Sequence, residues 1–213
     1  MAEIRAVFWD IGGVLASNGW DREQRRAVLQ QFGVPADEFE ERHELVFGTF
    51  ERGHMTLDEY LDRTVFSRSQ NFSHEQFKAA MFAQSKPNPE ALAVAREVSA
   101  SKKYICATLN NESRELNLYR IEQFGLREIF TVFVSSCYVG MRKPDEAMFR
   151  LGLDLLQVPA AEACMIDDRA LNLESAKQLG IHTIEFKSAD RLREQLREVG
   201  VEVRPAMSAV NGD

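Results

Sequence analysis

Cysteine is scarce in this 213-residue chain: Cys106, Cys137 and Cys164 are far apart and odd in number. Without a C-x-x-C pair they offer neither a disulfide framework nor a zinc site, and they read as buried thiols of a reducing compartment. Histidine is nearly as sparse, and His43, His54, His74 and His182 have no metal-ligand spacing. No apolar run approaches the roughly 20 residues that span a bilayer. The opening Met1-Ala-Glu-Ile-Arg5 lacks a signal-peptide pattern, so a cytoplasmic protein with no membrane partner is expected. Excess basic charge is also missing. Against 33 Asp and Glu stand 26 Lys and Arg, a net charge of −7. That argues against a nucleic-acid surface yet permits a small anionic substrate held by a local cation. There is no internal repeat and no low-complexity tract. Nothing in the pattern speaks to oligomeric state.

What is present is an ordinary globular composition, 45% hydrophobic and 28% charged, long enough to bury a core without staples. Short apolar runs rich in β-branched or aromatic residues recur at Ala6–Trp9, Tyr104–Ala107, Thr131–Val134, Ala163–Ile166 and Thr183–Phe186. From the second onward, amphipathic stretches separate them: Arg114–Phe124, Ala147–Leu156 and Leu171–Leu179. Gly125 and Gly180 sit where two of these helices should stop. The alternation predicts an α/β fold, a Rossmann-like parallel five-stranded sheet flanked by helices. Asp21 to Ser85 breaks the rhythm and reads as helical. Phe32, Phe39, Leu45, Val46, Phe47, Phe50, Tyr60, Leu61, Phe77, Met81 and Phe82 supply its apolar face. Thr56-Leu-Asp-Glu59 is a capping box; Gly33-Val-Pro35 and Lys86-Pro-Asn-Pro89 are breakers. The expected division is therefore a core of residues 1–17 and 88–203, an inserted helical cap domain of residues 18–87, and a loose tail of residues 204–213.

In an open parallel sheet, ligands bind beyond the carboxyl ends of the strands. After the first run comes Asp10-Ile-Gly-Gly13, after the second Thr108-Leu-Asn-Asn111, after the third Gly140-Met-Arg-Lys-Pro144, and after the fourth Asp167-Asp168. Three clustered carboxylates repel one another and call for a cation or a raised pKa. An oxygen-rich donor set suits Mg²⁺. Lys143 adds positive charge for a phosphoryl group, Thr108 can donate a hydrogen bond to it, and Asp10 can attack as a nucleophile.

These motifs, in this order, resemble the haloacid dehalogenase-like hydrolase superfamily over nearly the whole chain. Phe8-Trp-Asp-Ile-Gly-Gly-Val-Leu15 resembles its first motif, with Asp10 as nucleophile. Thr108 matches the second motif, Lys143 the third, and Asp167-Asp168 the acidic fourth. The insert resembles the family's helical cap of the first class. Glu51–Tyr60 and the Gly-Met-Arg-Lys-Pro run resemble its glucose-1-phosphatase-like and epoxide-hydrolase N-terminal-like branch. The resemblance implies a Mg²⁺-dependent phosphatase of a small phosphorylated metabolite, acting through an aspartyl-phosphate. It implies Mg²⁺ held by Asp10, the Gly12 carbonyl and Asp168, with Asp167 acting through a coordinated water.

One position departs from the family. Phosphatases of this kind usually carry a second Asp two residues after the nucleophile, as general acid–base; here it is Gly12. Such help is typically worth 10²–10⁴-fold. The loss favours leaving groups of low pKa, such as acyl phosphates or sugar 1-phosphates, and leaves Asp21, His43 and His54 as substitutes to be tested. It also keeps two other functions open: a 2-haloacid dehalogenase, whose Asp attacks carbon without Mg²⁺, and a catalytically impaired binding or regulatory protein. The remaining candidate substrate contacts are Gly13, Asn110, Asn111 and Trp20. Asn110 and Asn111 are expected as helix N-caps first, and Trp20 either lines the cap–core cleft or packs in a core. Arg142 is expected to be a surface or ion-pair residue. Asp167-Asp168 fits a helix cap as well as a metal.

Overall fold

The computed structural model describes residues 2–204. The expected tail lies, apart from Arg204, outside the described residues. Five strands make one sheet: β1 (Ala6–Trp9), β2 (Ile105–Asn110), β3 (Val132–Ser135), β4 (Ala163–Asp167) and β5 (His182–Glu185), in the order β3-β2-β1-β4-β5. Every pairing is parallel, with Trp9 opposite both Thr108 and Ile166. The α/β expectation holds. The central strand reads Ala-Val-Phe-Trp with no polar position because both of its faces are covered.

Among the described residues there are ten α-helices. Four form the insert: α1 (Arg22–Phe32), α2 (Ala36–Glu51), α3 (Leu57–Thr64) and α4 (His74–Phe82). Six belong to the rest: α5 (Pro89–Ala100), α6 (Arg114–Gln123), the short α7 (Ser136–Val139), α8 (Glu146–Leu156), α9 (Ala170–Gln178) and α10 (Ala189–Glu198). Val7 and Trp9 pack with α5, α6 and α10 on one face of the sheet. Ala6, Phe8 and Leu109 pack with α8 and α9 on the other. Local chemistry sets the ends. Gly33, Gly125 and Gly180 take positive φ after helices, as a C-terminal stop demands. Thr56 and Ser73 each form a full capping box, and Asn88 caps α5 with Pro89 in its first turn.

The insert has its own core around Trp20, Phe39, Tyr60 and Phe77, but that core also takes Leu116 from α6. Leu45, assigned to its apolar face by the sequence pattern, is 81% exposed instead. Entry and exit run side by side: Ser17 N donates to Lys86 O, and Asn88 N to Leu15 O. Strand β2 runs three residues beyond the expected Ala107, because Thr108 and Asn110 are buried polar residues within the strand. Among the described residues no helix is long and apolar enough to cross a membrane.

Candidate active site

Strand order places the site. The chain steps from β1 to β2 and β3 on one side, then crosses to β4 and β5 on the other, so a crevice opens between the carboxyl ends of β1 and β4. Asp10 follows β1, while Asp167 ends β4 and Asp168 comes next. Carboxylate oxygens of these three residues lie within 4.8 Å of one another. Lys143 Nζ reaches between them, 3.1 Å from Asp10 Oδ1 and 2.6 Å from Asp167 Oδ2.

One ammonium faces three carboxylates, and the balance shows in their titration. Burial first, then the charges of Asp167 and Asp168, push Asp10 up to about 7 against the pull of Lys143. Asp168 is raised as well, by burial and by Asp167. Burial alone would lower Lys143, but Asp10 and Asp167 outweigh it and hold the ammonium charged. The site therefore has a deficit of positive charge. Asp168 Oδ1 is buried with no hydrogen-bond partner. Gly13, at φ +77°, lets the backbone pass so close that a Cβ there would sit 2.1 Å from Asp168 Oδ2. An all-oxygen donor set, excess negative charge and an orphaned carboxylate oxygen fit a hard divalent cation.

Of the three carboxylates, Asp167 has the most hydrogen-bond partners. It is fully buried, and besides Lys143 its carboxylate accepts from Arg169 N at 2.9 Å and from Asn172 Nδ2 at 3.1 Å. It anchors the lysine. Asn111 holds the same lysine from the other side, bonding both its backbone N–H and its carbonyl.

Thr108 is not brought to the cleft. In β2 it lies opposite Trp9, fully buried, with Oγ1 unpartnered. Asn110 also stays inside, donating to Asn117 Oδ1 and accepting from Ser135 Oγ. Neither asparagine caps a helix, since α6 starts after Ser113. Asn111 and Gly12 do border the cleft, as does Trp20, whose Nε1–H donates to Tyr60 Oη inside the cap core.

The cleft between cap and sheet has a volume of about 470 Å³. Its walls are charged and paired. Arg25 meets Glu40 bidentately, Arg142 meets Glu51 at 2.7 Å, Arg169 meets Asp21 at 2.8 Å, and buried Arg120 faces Glu112 at 3.4 Å. Of the substitutes for the missing acid, Asp21 is in that Arg169 pair. His43 bonds Tyr60 Oη and is pushed down to about 4 by burial, so it is neutral at pH 7 and lacks the imidazolium proton a general acid would donate. His54 does not border the cleft. Arg120 and Asn172 went unread in the sequence. Arg120 had a signal: it falls on the same helical stripe as Leu116, Asn117 and Ile121, which are all buried.

A family model for haloacid dehalogenase-like hydrolases matches residues 4–180. The chain belongs to the haloacid dehalogenase-like hydrolases. A phosphorylated carbohydrates phosphatase of Thermotoga maritima is 29% identical over 186 residues, which cover 85% of this chain and 84% of the relative. Bifunctional epoxide hydrolase 2 of Sus scrofa is 25% identical over 99% of this chain, which spans only 42% of that relative's length. Among solved structures, a HAD family enzyme of Bacteroides thetaiotaomicron superposes with a TM-score of 0.80 at 22% identity, covering 92% of this chain and all of the other. The same enzyme, solved with magnesium and inorganic phosphate, gives a TM-score of 0.73 at 22% identity over 86% of this chain and 94% of that one.

Proposed function

We propose that this hydrolase is a Mg²⁺-dependent phosphatase of a small phosphorylated metabolite, with Asp10 as nucleophile. The observation that carries the reading is Lys143 Nζ held between Asp10 and Asp167 beside an unpartnered Asp168 oxygen. A carboxylate attacking carbon needs no such cluster of acids; a site that gathers a metal and a phosphoryl group does. The relative of Thermotoga maritima named for phosphorylated carbohydrates points the same way.

In this reading an Asp10 oxygen bonds to phosphorus as the bond to the leaving oxygen breaks. Lys143 offsets charge on the equatorial oxygens and, tied down by Asp167 and Asn111, needs no reorganisation to do so. Water then attacks the aspartyl-phosphate, releasing inorganic phosphate and the Asp10 carboxylate. Asp10, Asp168 and the backbone at Gly12 would hold Mg²⁺, which supplies Lewis-acid polarisation of phosphoryl oxygens. The cap, through Trp20, Phe47 and Phe50, limits water and substrate size.

The test is phosphate release from a panel of phosphorylated metabolites with Mg²⁺ and with EDTA. Release that requires Mg²⁺ and disappears in Asp10→Asn is expected. Gly12 favours a second reading, since a dehalogenase has no use for an acid there. Chloride release from a 2-chloroacid that survives EDTA would replace the phosphatase assignment. No turnover of either substrate class would leave a binding protein that kept the shape of a site.

A further inference from the structure

Gly12 has no side chain, yet the space above it is furnished. A Cβ built there lies 3.4 Å from Asn18 Oδ1 and 3.5 Å from Arg120 Nη1. Arg120 is 1% exposed. Its Nε donates to Ser85 Oγ at 3.0 Å and its Nη2 to Ser17 O at 2.7 Å. Nη1, the end that faces Gly12, has Glu112 Oε2 at 3.4 Å. That is longer than the roughly 2.7–2.9 Å of a strong charged hydrogen bond. Gly19 makes room for the group, since a Cβ there would lie 2.1 Å from Nη2. Arg120, Gly12, Asn18 and Glu112 all border the cleft with Asp10.

Burying a guanidinium is costly unless it is well paired. Here two arms of the fork are pinned to the entry and exit segments of the insert, and the third is left with a loose partner beside Gly12. Arginine stays charged at any working pH, so it offers positive charge and not a proton.

We infer that Arg120 Nη1 binds the leaving-group oxygen of the substrate in the space that Gly12 leaves free, selecting phosphates whose leaving group departs as an anion, acyl phosphates foremost. This rests on the phosphatase reading and deepens it. As the Asp10 oxygen bonds to phosphorus, the electron pair of the breaking P–O bond goes to the leaving oxygen. That oxygen departs as a carboxylate against the guanidinium, and no proton is needed.

Two measurements test it. In the first, Mg²⁺-loaded protein turns over aryl phosphates with leaving-group pKa from about 4 to about 10. The wild type should depend weakly on that pKa. Arg120→Lys and Arg120→Gln should steepen the dependence, losing about 10²–10³-fold in kcat/KM for the poorest leaving groups, as for one preorganised donor, and much less for the best. Should Arg120→Gln fail to fold, Ser85→Ala, which removes one anchor and keeps the charge, should steepen it by a smaller amount. In the second, calorimetry compares phosphonoacetate, which carries a carboxylate at the leaving-group position, with methylphosphonate. The wild type should prefer phosphonoacetate by about tenfold or more, and the Arg120 variants should lose the preference. An equal loss across all leaving groups with the preference unchanged would make Arg120 a purely structural residue and overturn the inference. If the wild type releases phosphate from nothing, the phosphatase reading fails separately, and the calorimetric comparison still decides Arg120.

Discussion

Asn111 grips Lys143 by its backbone: Oδ1 accepts from the Lys143 N–H at 2.8 Å, and Nδ2 donates to the Lys143 carbonyl at 2.9 Å. The loop after β2 thereby fixes the loop between α7 and α8, and the ammonium is aimed at Asp10 from a rigid base. Asn111→Ala removes both bonds. In the proposed phosphatase it should cut kcat/KM by about 10–100-fold, in line with roughly 1–3 kcal/mol for the bonds lost, while Asn111→Asp, which keeps the acceptor, should lose less. Phosphate-release kinetics beside thermal melts check this. A lowered Tm with unchanged kcat/KM would mean that the clamp serves folding alone.

Stability of the metal-free protein should carry the imprint of the crowded carboxylates. Asp10 in the fold is pushed up to about 7, well above its ordinary 3.8, so between those values the folded protein binds a proton that the unfolded chain releases. Stability from this group therefore falls as pH rises from about 4 to about 7. Glu112, pushed up to about 6 by burial, acts with the same sign. His43, pushed down to about 4, acts with the opposite one. Comparing Asp10→Asn with the wild type isolates the Asp10 part. At pH 8 the variant should melt at least about 3 °C higher, roughly what 1 kcal/mol gives for this size, and the gap should close near pH 5. Mg²⁺ should raise the wild type at pH 8. A variant that melts lower at pH 8 would show that Asp10 is not strained in the fold.

Much of this site was legible because its parts come at strand ends. Asp10, Lys143 and Asp167-Asp168 each follow an apolar run, and the parallel order brings them together. Thr108 lies inside strand β2 and not just past its end, for a physical reason. The apolar run ends at Ala107, but β2 continues to Asn110, because Asn117 and Ser135 satisfy the Asn110 amide inside the protein. A polar residue in a strand looks like an ending until its partners are known, and those partners lie on α6 and β3. The same holds for Arg120: its burial depends on Ser17 and Ser85, which are distant in the chain, as well as on Glu112. The apolar pattern names neither α5 nor α10, although α5 begins with an Asn-Pro cap, and the core of the insert extends to Leu116 of α6.

The cap is fastened to the sheet domain through Arg142. Its guanidinium pairs with Glu51 at the end of α2 at 2.7 Å and lies 4.9 Å from the centre of the Phe47 ring. Nearby, Ser136 Oγ donates to Glu51 O at 2.6 Å. Both charged groups border the cleft. Arg142→Ala should loosen closure and leave the nucleophile intact. The expected signature is KM raised by about three- to tenfold with kcat changed less, and faster hydrogen exchange in α2 than in β1, given an exchange energy of about 1 kcal/mol for a partly buried pair. Unchanged exchange in α2 would sink the fastening role.

Installing the missing carboxyl should not restore acid catalysis. At Gly12 the φ is not positive and a Cβ meets its neighbours at 3.4–3.5 Å, so Gly12→Asp should fold with a Tm within about 3 °C of wild type. The new carboxyl would lie against Arg120 Nη1. A guanidinium at that range lowers a carboxyl pKa by about 1–3 units, which makes the group a poorer acid, and the pairing cancels the charge offered to a leaving anion. Gly12→Asp alone should therefore lower kcat/KM for acetyl phosphate by about tenfold or more without raising it for glycerol phosphate. The double variant Gly12→Asp/Arg120→Leu frees the carboxyl from its partner and should gain on glycerol phosphate relative to Gly12→Asp. If Gly12→Asp by itself accelerates glycerol phosphate hydrolysis, then Arg120 does not control the space beside residue 12, and the specificity drawn from it is wrong.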